Sequence, residues 1–499
     1  MPEGPAAPWP AAPQPAGPPF DGRMPAAVAL VVLLTRLPLL GPGLGTDNDA
    51  WSVAAAARFI ARTGQYKVSR FPGFPVHEYG AALLWGGSPW LLDATSALMC
   101  ALSAALLAIV LRRAGSRDAA LGAIAFAFVP TVFISSTSGM DYLWACAFLM
   151  AALVLTLARR GALAGLALGL ATGCRITSIA FLLPLAVMRA APEPRGRVRA
   201  VLALALPALL VGSAAYLPVA LRYGGEFLSY YEPAGGHQQP LAYFFAGLLT
   251  LFRLPFSPLF VAGLATVGVW GVVGFAALGV AVVVTLARRA PGPAAAMPRG
   301  FYAACGIAVA VCIVLFLRLP DDEGYLIPAL PFAFILLARG ARRRVLQAFC
   351  IAVLLSPFVL GVDVTPPKKG VSPATRSALA RGFGLGGRER FVFDPLRGPL
   401  LMDLDKRRAQ MDILVRARQH WPQLPANAVV IAGLLDLPLH IEIQPGPVMT
   451  CDLLTPADLR ALVREGRPVY YFPDAPERTE RFFHYALEAE GARPFFAAP

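Results

Sequence analysis

Apolar runs recur along this chain, and most end on arginine or break at glycine and proline. Several exceed about 18 residues, enough to cross a hydrocarbon core of roughly 30 Å as a helix. Inside such a core backbone polar groups must be bonded internally, and unbroken apolar runs meet that demand as helices. The composition agrees: 57% of the 499 residues are apolar and 15% charged, outside ordinary soluble proportions in both respects. The expected fold is a polytopic α-helical membrane protein. Its formal charge of +14 resides in arginines at helix ends, the pattern of basic loops retained in the cytoplasm rather than of nucleic-acid binding.

The first span runs from about Met24 to Leu40 and is broken by Gly41-Pro42-Gly43. A polar loop, Thr46 to Tyr79, follows. Further spans cover about Trp90–Leu111, Ala119–Ile134 and a run reaching Ala158, with the short turn Ser135–Asp141 before the last. Arg112, Arg113 and Arg117 close one end of this set, and Arg159 and Arg160 another. Those clusters place their loops in the cytoplasm, and the 46–79 loop and the 135–141 turn outside. Gly161 to Met188 has arginines at both flanks. A single span would carry one basic cluster outside. Two short helices meeting near Cys174-Arg175 keep both inside, and each arm of about 14 residues rises only about 21 Å. The paired arrangement is preferred. Later spans are expected at about Ala200–Ala220, Phe260–Leu286, Phe301–Leu317, Tyr325–Ala338 and Val345–Gly361, which brings the count to about eleven. A second outer loop, Arg222 to Pro258, holds Glu226, Tyr230, Tyr231, Glu232 and His237, with a short apolar segment Leu241–Phe252.

Three regions follow. Residues 1–23, rich in Pro, Ala and Gly, form a disordered cytoplasmic tail, with no signal peptide evident. Residues 24–361 form the membrane unit. Residues 362–499 change to mixed charge and make a small extracytoplasmic α/β domain. Its buried strands are Val429–Ala432 and Val469–Phe472, and a helix begins at Thr455-Pro456 and stops at Gly466. A further helix is expected from Asp474 to near Gly491. The seven cysteines form no Cys-x-x-Cys pair and are expected to act as small hydrophobes.

Candidate chemistry concentrates in the first outer loop. Asp47 and Asp49 precede a helix-like run, so one carboxylate is expected to cap that helix and the other is a candidate general base. Asp-x-Asp is also a metal-binding spacing in sugar-nucleotide enzymes. Arg70 lies in Ser69-Arg70-x-Pro72-Gly73-x-Pro75, where fixed backbone geometry can aim a guanidinium at a phosphate, or set it to snorkel at the interface. His77 and Glu78 come next. Arg175, a charge at membrane depth, needs a partner, with Asp141 or a lipid phosphate as candidates. Tyr325 opens Tyr325-Leu326-x-Pro328-x-x-Pro331 after the acidic loop Arg318–Gly324. The chain has no Walker loop, dinucleotide fingerprint or zinc motif. No cofactor is expected, and an outward-facing site would draw any activated donor from lipid.

With these residues assembled, the chain resembles the GT-C membrane glycosyltransferases, among them the dolichyl-phosphate-mannose protein mannosyltransferases and the aminoarabinose transferase. The likeness covers roughly residues 24–361. It rests on the first-loop Asp47-Asn48-Asp49 with Gly64-x-Tyr66-x-x-Ser69-Arg70-x-Pro72-Gly73, the short helices around Gly173-Cys174-Arg175, the Tyr325 motif, and an extracytoplasmic C-terminal region. The resemblance implies transfer of a sugar, generally with inversion, from a polyprenyl-phosphate carrier to a protein, lipid or glycan acceptor. It implies Asp49, with Asp47 second, as base, and Arg70 and Arg175 as phosphate ligands. The mannosyltransferases pair Asp directly with Glu, whereas this loop reads Asp-Asn-Asp. The alternative is a transporter or flippase of a lipid-linked or hydrophobic substrate; against it stand the lack of an internal repeat and the acids placed in loops.

Overall fold

The structure, a computed structural model, describes residues 22–86, 89–190, 196–225, 258–288, 297, 300–318, 323–365, 390–444, 446–451, 456–472 and 491–495. The tail up to residue 21, the loop residues 226–257, Asp321 and Asp322 of the acidic loop, and the helix expected from Asp474 lie outside the described residues.

The bundle begins with α1 (Arg23–Arg36), α2 (Asn48–Thr63), α3 (Pro75–Leu83), α4 (Pro89–Arg113), α5 (Ala119–Ala127), α6 (Pro130–Ser135) and α7 (Tyr142–Leu157). It continues with α8 (Gly161–Cys174), α9 (Leu182–Ala190), α10 (Arg197–Tyr223), α11 (Pro258–Arg288), α12 (Phe301–Arg318), α13 (Leu330–Gly340) and α14 (Arg343–Leu355). Trp90–Arg113, Arg197–Tyr223, Thr266–Ala287 and Glu323–Gly340 are long and apolar enough to cross a membrane. Tyr142–Leu157, Gly161–Cys174, Ile176–Ala190 and Phe301–Leu317 are apolar but shorter.

Breaks inside the apolar runs separate this picture from the expected eleven or so helices, which counted the short pair of 161–188 as two. The run expected at Ala119–Ile134 is two helices. Val129 is extended at ψ 127° ahead of Pro130, whose ring disfavours a helical residue before it. The first span stops at Arg36 and passes into a 3₁₀ turn, Leu37–Leu39, that holds Pro38. In α11, Gly271 leaves helical geometry at φ 65°, ψ 166°. The Ser356 hydroxyl at the end of α14 spans that kink, donating to the Trp270 carbonyl and accepting from Gly274 N–H at 3.3 Å.

The break at Arg175 falls where the two short helices are expected to meet. Arg175 is extended (φ −151°, ψ 118°) between α8 and a 3₁₀ segment, Ile176–Phe181, that leads into α9. The chain reverses there: a Cβ on Gly161, at the start of α8, would lie 3.6 Å from Arg189 near the end of α9. Glycines 161, 165, 169 and 173 recur every turn of α8 and let α10 approach closely. A Cβ on Gly165 would stand 2.2 Å from the Leu204 carbonyl oxygen, and one on Gly169 2.6 Å from Val211 Cβ. Such small-residue faces let packed helix backbones come together.

The C-terminal residues comprise β1 (Gly361–Thr365), β2 (Arg390–Asp394), α15 (Pro399–His420), β3 (Val429–Ile431), α16 (Asp436–Glu442), β4 (Met449–Cys451), α17 (Pro456–Arg464), β5 (Val469–Tyr471) and β6 (Arg493–Pro494). β1 and β2 pair antiparallel, while the other strands form a parallel sheet in the order β4-β3-β5-β6. All three residues of β3 are buried, as a central parallel strand covered on both faces requires. α17 starts on Pro456, and Gly466 after it adopts φ 72°. This region shares the bundle's core. Ile413, Leu414, Ala417, Trp421 and Leu439 belong to the same apolar cluster as the helices before residue 361.

Polar residues sort to the two ends. α4 has 25 residues, so its first and last turns stand roughly 37 Å apart at about 1.5 Å per residue. Its last turn carries Arg112 and Arg113, next to the ion pair of Asp118 with Arg343 at 3.0 Å. The first-loop helices and α15 gather at the other end.

Candidate active site

Asp47, Asn48 and Asp49 open α2, and the two aspartates part company there. Asp47 is the N-cap: its carboxylate accepts the Asp49 N–H at 3.0 Å. The Asp49 side chain reaches the Arg70 Nε at 2.9 Å and keeps 36% of its surface exposed.

The loop carrying Arg70 is built around Glu78. The Glu78 carboxylate, fully buried, accepts from Ser69 N–H at 2.6 Å, Ser69 Oγ at 2.7 Å, Phe74 N–H at 3.1 Å and the Tyr66 hydroxyl. Burial pushes its carboxyl up, against the pull of these donors. Glu78 therefore ties both ends of the Arg70 turn together. Gly73, at φ 94°, lets the chain turn, and its carbonyl accepts from Tyr216 of α10 at 2.9 Å.

Arg70 Nη2 donates to Asp141 Oδ1 at 2.7 Å, and Arg175 Nη1 donates to Asp141 Oδ2 at 2.7 Å. One buried carboxylate thus holds two guanidiniums, one from the first loop and one from the α8–α9 reversal. Burial pushes the Asp141 carboxyl up, but Arg175 and Arg70 outweigh it and hold it below the usual carboxylate range. Aromatic rings fix the guanidinium planes. Phe74 lies 4.1 Å from Arg70, while Tyr142 and Tyr325 lie 4.2 and 4.8 Å from Arg175. Arg70 Nη1 is buried and has no hydrogen-bond partner among the described residues. His77 is buried edge-on to Trp144 at 5.4 Å, and burial pushes its imidazole down to about 4.

The structure therefore brings Asp49, Arg70, Asp141, Arg175 and Tyr325 to one place, with His77 within electrostatic reach. It sets Asp47 and Glu78 to backbone duties beside them. Sequence reasoning passed over three buried charges: Arg36, Asp93 and Arg407. Arg36 and Asp93 are charges within apolar runs, the signal that singled out Arg175. Arg36 donates to Ser136 Oγ at 3.1 Å and to the Ala127 carbonyl that ends α5, with its guanidinium 3.8 Å from the Phe133 ring. Nothing in the sequence distinguishes Arg407 from its arginine neighbours on α15.

A helical bundle suited to a membrane, with an aspartate–arginine cluster at one end, is the class these features define. Its fold is similar to that of ArnT from Cupriavidus metallidurans in its apo crystal structure. The match has a TM-score of 0.54 at 17% identity and covers 90% of this chain and 88% of that one. No family model matches the chain, and neither does any curated protein.

Proposed function

We propose that this chain is an integral-membrane glycosyltransferase. It moves a sugar from a polyprenyl-phosphate carrier to a protein, lipid or glycan on the extracytoplasmic side, with Asp49 as general base. The observation that carries this reading is the convergence of Asp49, Arg70, Asp141 and Arg175 at chain breaks between helices. The fold supports it, since ArnT is an aminoarabinose transferase of the GT-C type. In this reading residues 24–361 are the catalytic unit, residues 1–23 lie in the cytoplasm, and residues 362–499 with the 222–258 loop border the acceptor.

Each group has a part. Asp49, whose side chain keeps 36% of its surface exposed, takes the proton of an acceptor hydroxyl or amine, and Asp47 is occupied as cap. The acceptor heteroatom attacks the anomeric carbon, and the bond from that carbon to the phosphate oxygen breaks. The lipid phosphate leaves as an anion. Arg70, with Nη1 unpartnered among the described residues, and Arg175 receive its charge in a water-poor site, where preformed donors stabilise developing charge most strongly. Asp141 keeps both guanidiniums aimed.

Binding of decaprenyl phosphate to the purified full-length protein tests the phosphate role. Charge-assisted hydrogen bonds are worth about 1.5–3 kcal/mol each, so Arg70→Gln and Arg175→Gln should each weaken binding about ten- to a hundredfold. Parental affinity in both variants would overturn the assignment.

A further inference from the structure

The two carboxylate-bearing segments of the site are held by a third party. On α15, Asp403 and Arg407 form an i,i+4 ion pair at 2.7 Å, with Arg407 1% exposed. From this pair two contacts diverge. Asp403 Oδ1 accepts from Thr46 Oγ1 at 3.2 Å, immediately before the Asp47 cap of α2. Arg407 Nη1 donates to the Thr137 carbonyl, and Nη2 donates to the Ile134 carbonyl at 3.3 Å. Ile134 lies in the last turn of α6 and Thr137 two residues past its end, on the turn that delivers Asp141. The Ile134 carbonyl also accepts from Thr137 N–H at 3.0 Å, and the partial negative charge of carbonyls at a helix end attracts a guanidinium.

Asp93 adds an independent observation. It is fully buried in the first turns of α4, and neither carboxylate oxygen has a hydrogen-bond partner among the described residues. Arg407 is the charge that interacts with it. An arginine of the C-terminal region thus pairs with an acid on its own helix and acts electrostatically on a buried acid of the bundle. A buried pair of this kind is weak evidence for stability, because burying the charges offsets their attraction, but it fixes one geometry.

We propose that Arg407 is a positioning residue of the site: with Asp403 it staples the start of α2 to the Asp141 turn, and so sets how Asp49 and Asp141 face each other across Arg70. The C-terminal region then completes the site rather than merely covering it. The staple itself rests on geometry; only its effect on ligand affinity rests on the function proposed above.

The test uses the purified full-length protein in detergent micelles and two readouts, amide hydrogen exchange of residues 134–142 and decaprenyl phosphate affinity. Arg407→Gln should speed exchange in 134–142 about ten- to a hundredfold, the range expected for losing bonds to a charged donor, with little change in α8 and α10. It should weaken phosphate affinity about tenfold or more through misplaced Arg70 and Arg175. Arg407→Lys, which keeps the charge and can bond one carbonyl, should restore part of both. Arg418→Ala, a change on α15 that removes the 2.9 Å pair with Glu442 of α16, should change neither. Unchanged exchange at 134–142 in Arg407→Gln, or exchange raised equally throughout the bundle, overturns the proposal. Failure of the parental protein to bind the phosphate counts against the proposed function instead, and the exchange result still decides the staple.

Discussion

Asp141 is the residue on which the site turns, because two guanidiniums lose their shared partner without it. Its importance was half legible. Arg175 drew attention as a charge at membrane depth, and Asp141 was one of two candidates for its partner. That Arg70 shares the same carboxylate required the three-dimensional turn that Glu78 anchors. His77 permits a residue-scale test of burial. Its imidazole is pushed from 6.5 down to about 4, so between those values the folded state holds fewer protons than the unfolded chain. Stability contributed by neutral His77 is present above pH 6.5 and is lost as pH falls toward 4, by up to about 3 kcal/mol. Glu78, raised by burial, acts in the opposite sense, so the comparison must be differential. Thermal melts from pH 7 to 4 should show the parent losing stability more steeply than His77→Asn; parallel curves would refute the buried neutral imidazole.

Among the elements, the α8–α9 reversal matters most, since it lifts Arg175 to the Asp141 turn. Its existence followed from arginines at both flanks of one apolar run. Its close packing on α10 did not, although glycine every fourth residue from 161 to 173 is visible in the sequence. Position 165 measures that packing. A methyl there would meet the Leu204 carbonyl oxygen at 2.2 Å, which only a shift of backbone can relieve. Overpacking of this kind costs about 1–3 kcal/mol. Gly306 has open space instead, so Gly306→Ala should be neutral or stabilising by up to about 1 kcal/mol, as alanine is the better helix former. Melting temperatures of the two variants should move in opposite directions, and a Gly165→Ala protein as stable as the parent would contradict the contact. Helix breaks are less legible. Pro130 stood inside the third apolar run, but composition alone does not say whether a proline kinks a span or divides it.

At the scale of the whole molecule, sidedness and chemistry have to agree. The basic loops meet at one end, as Asp118 with Arg343 and Gly161 beside Arg189 show, and the aspartate–arginine cluster is built at the other. With Cys451, the one partly exposed cysteine, changed to serine, a cysteine at exposed Thr63 should react with an impermeant maleimide on intact cells. One at Ser116, between the basic residues of the 112–118 loop, should react only after permeabilisation. The reverse pattern would turn the protein over. The C-terminal region was legible as strands and a helix but not as part of the bundle's core, because the contacts of α15 join residues far apart in sequence. The most direct test of the central claim is sugar transfer by purified Asp49→Asn and Asp47→Asn with a polyprenyl-phosphate sugar as donor. Loss of a general base should cut turnover by about 10²–10⁴ in Asp49→Asn, whereas Asp47→Asn, which retains a good helix cap, should stay near the parent. Full turnover in Asp49→Asn would contradict the account.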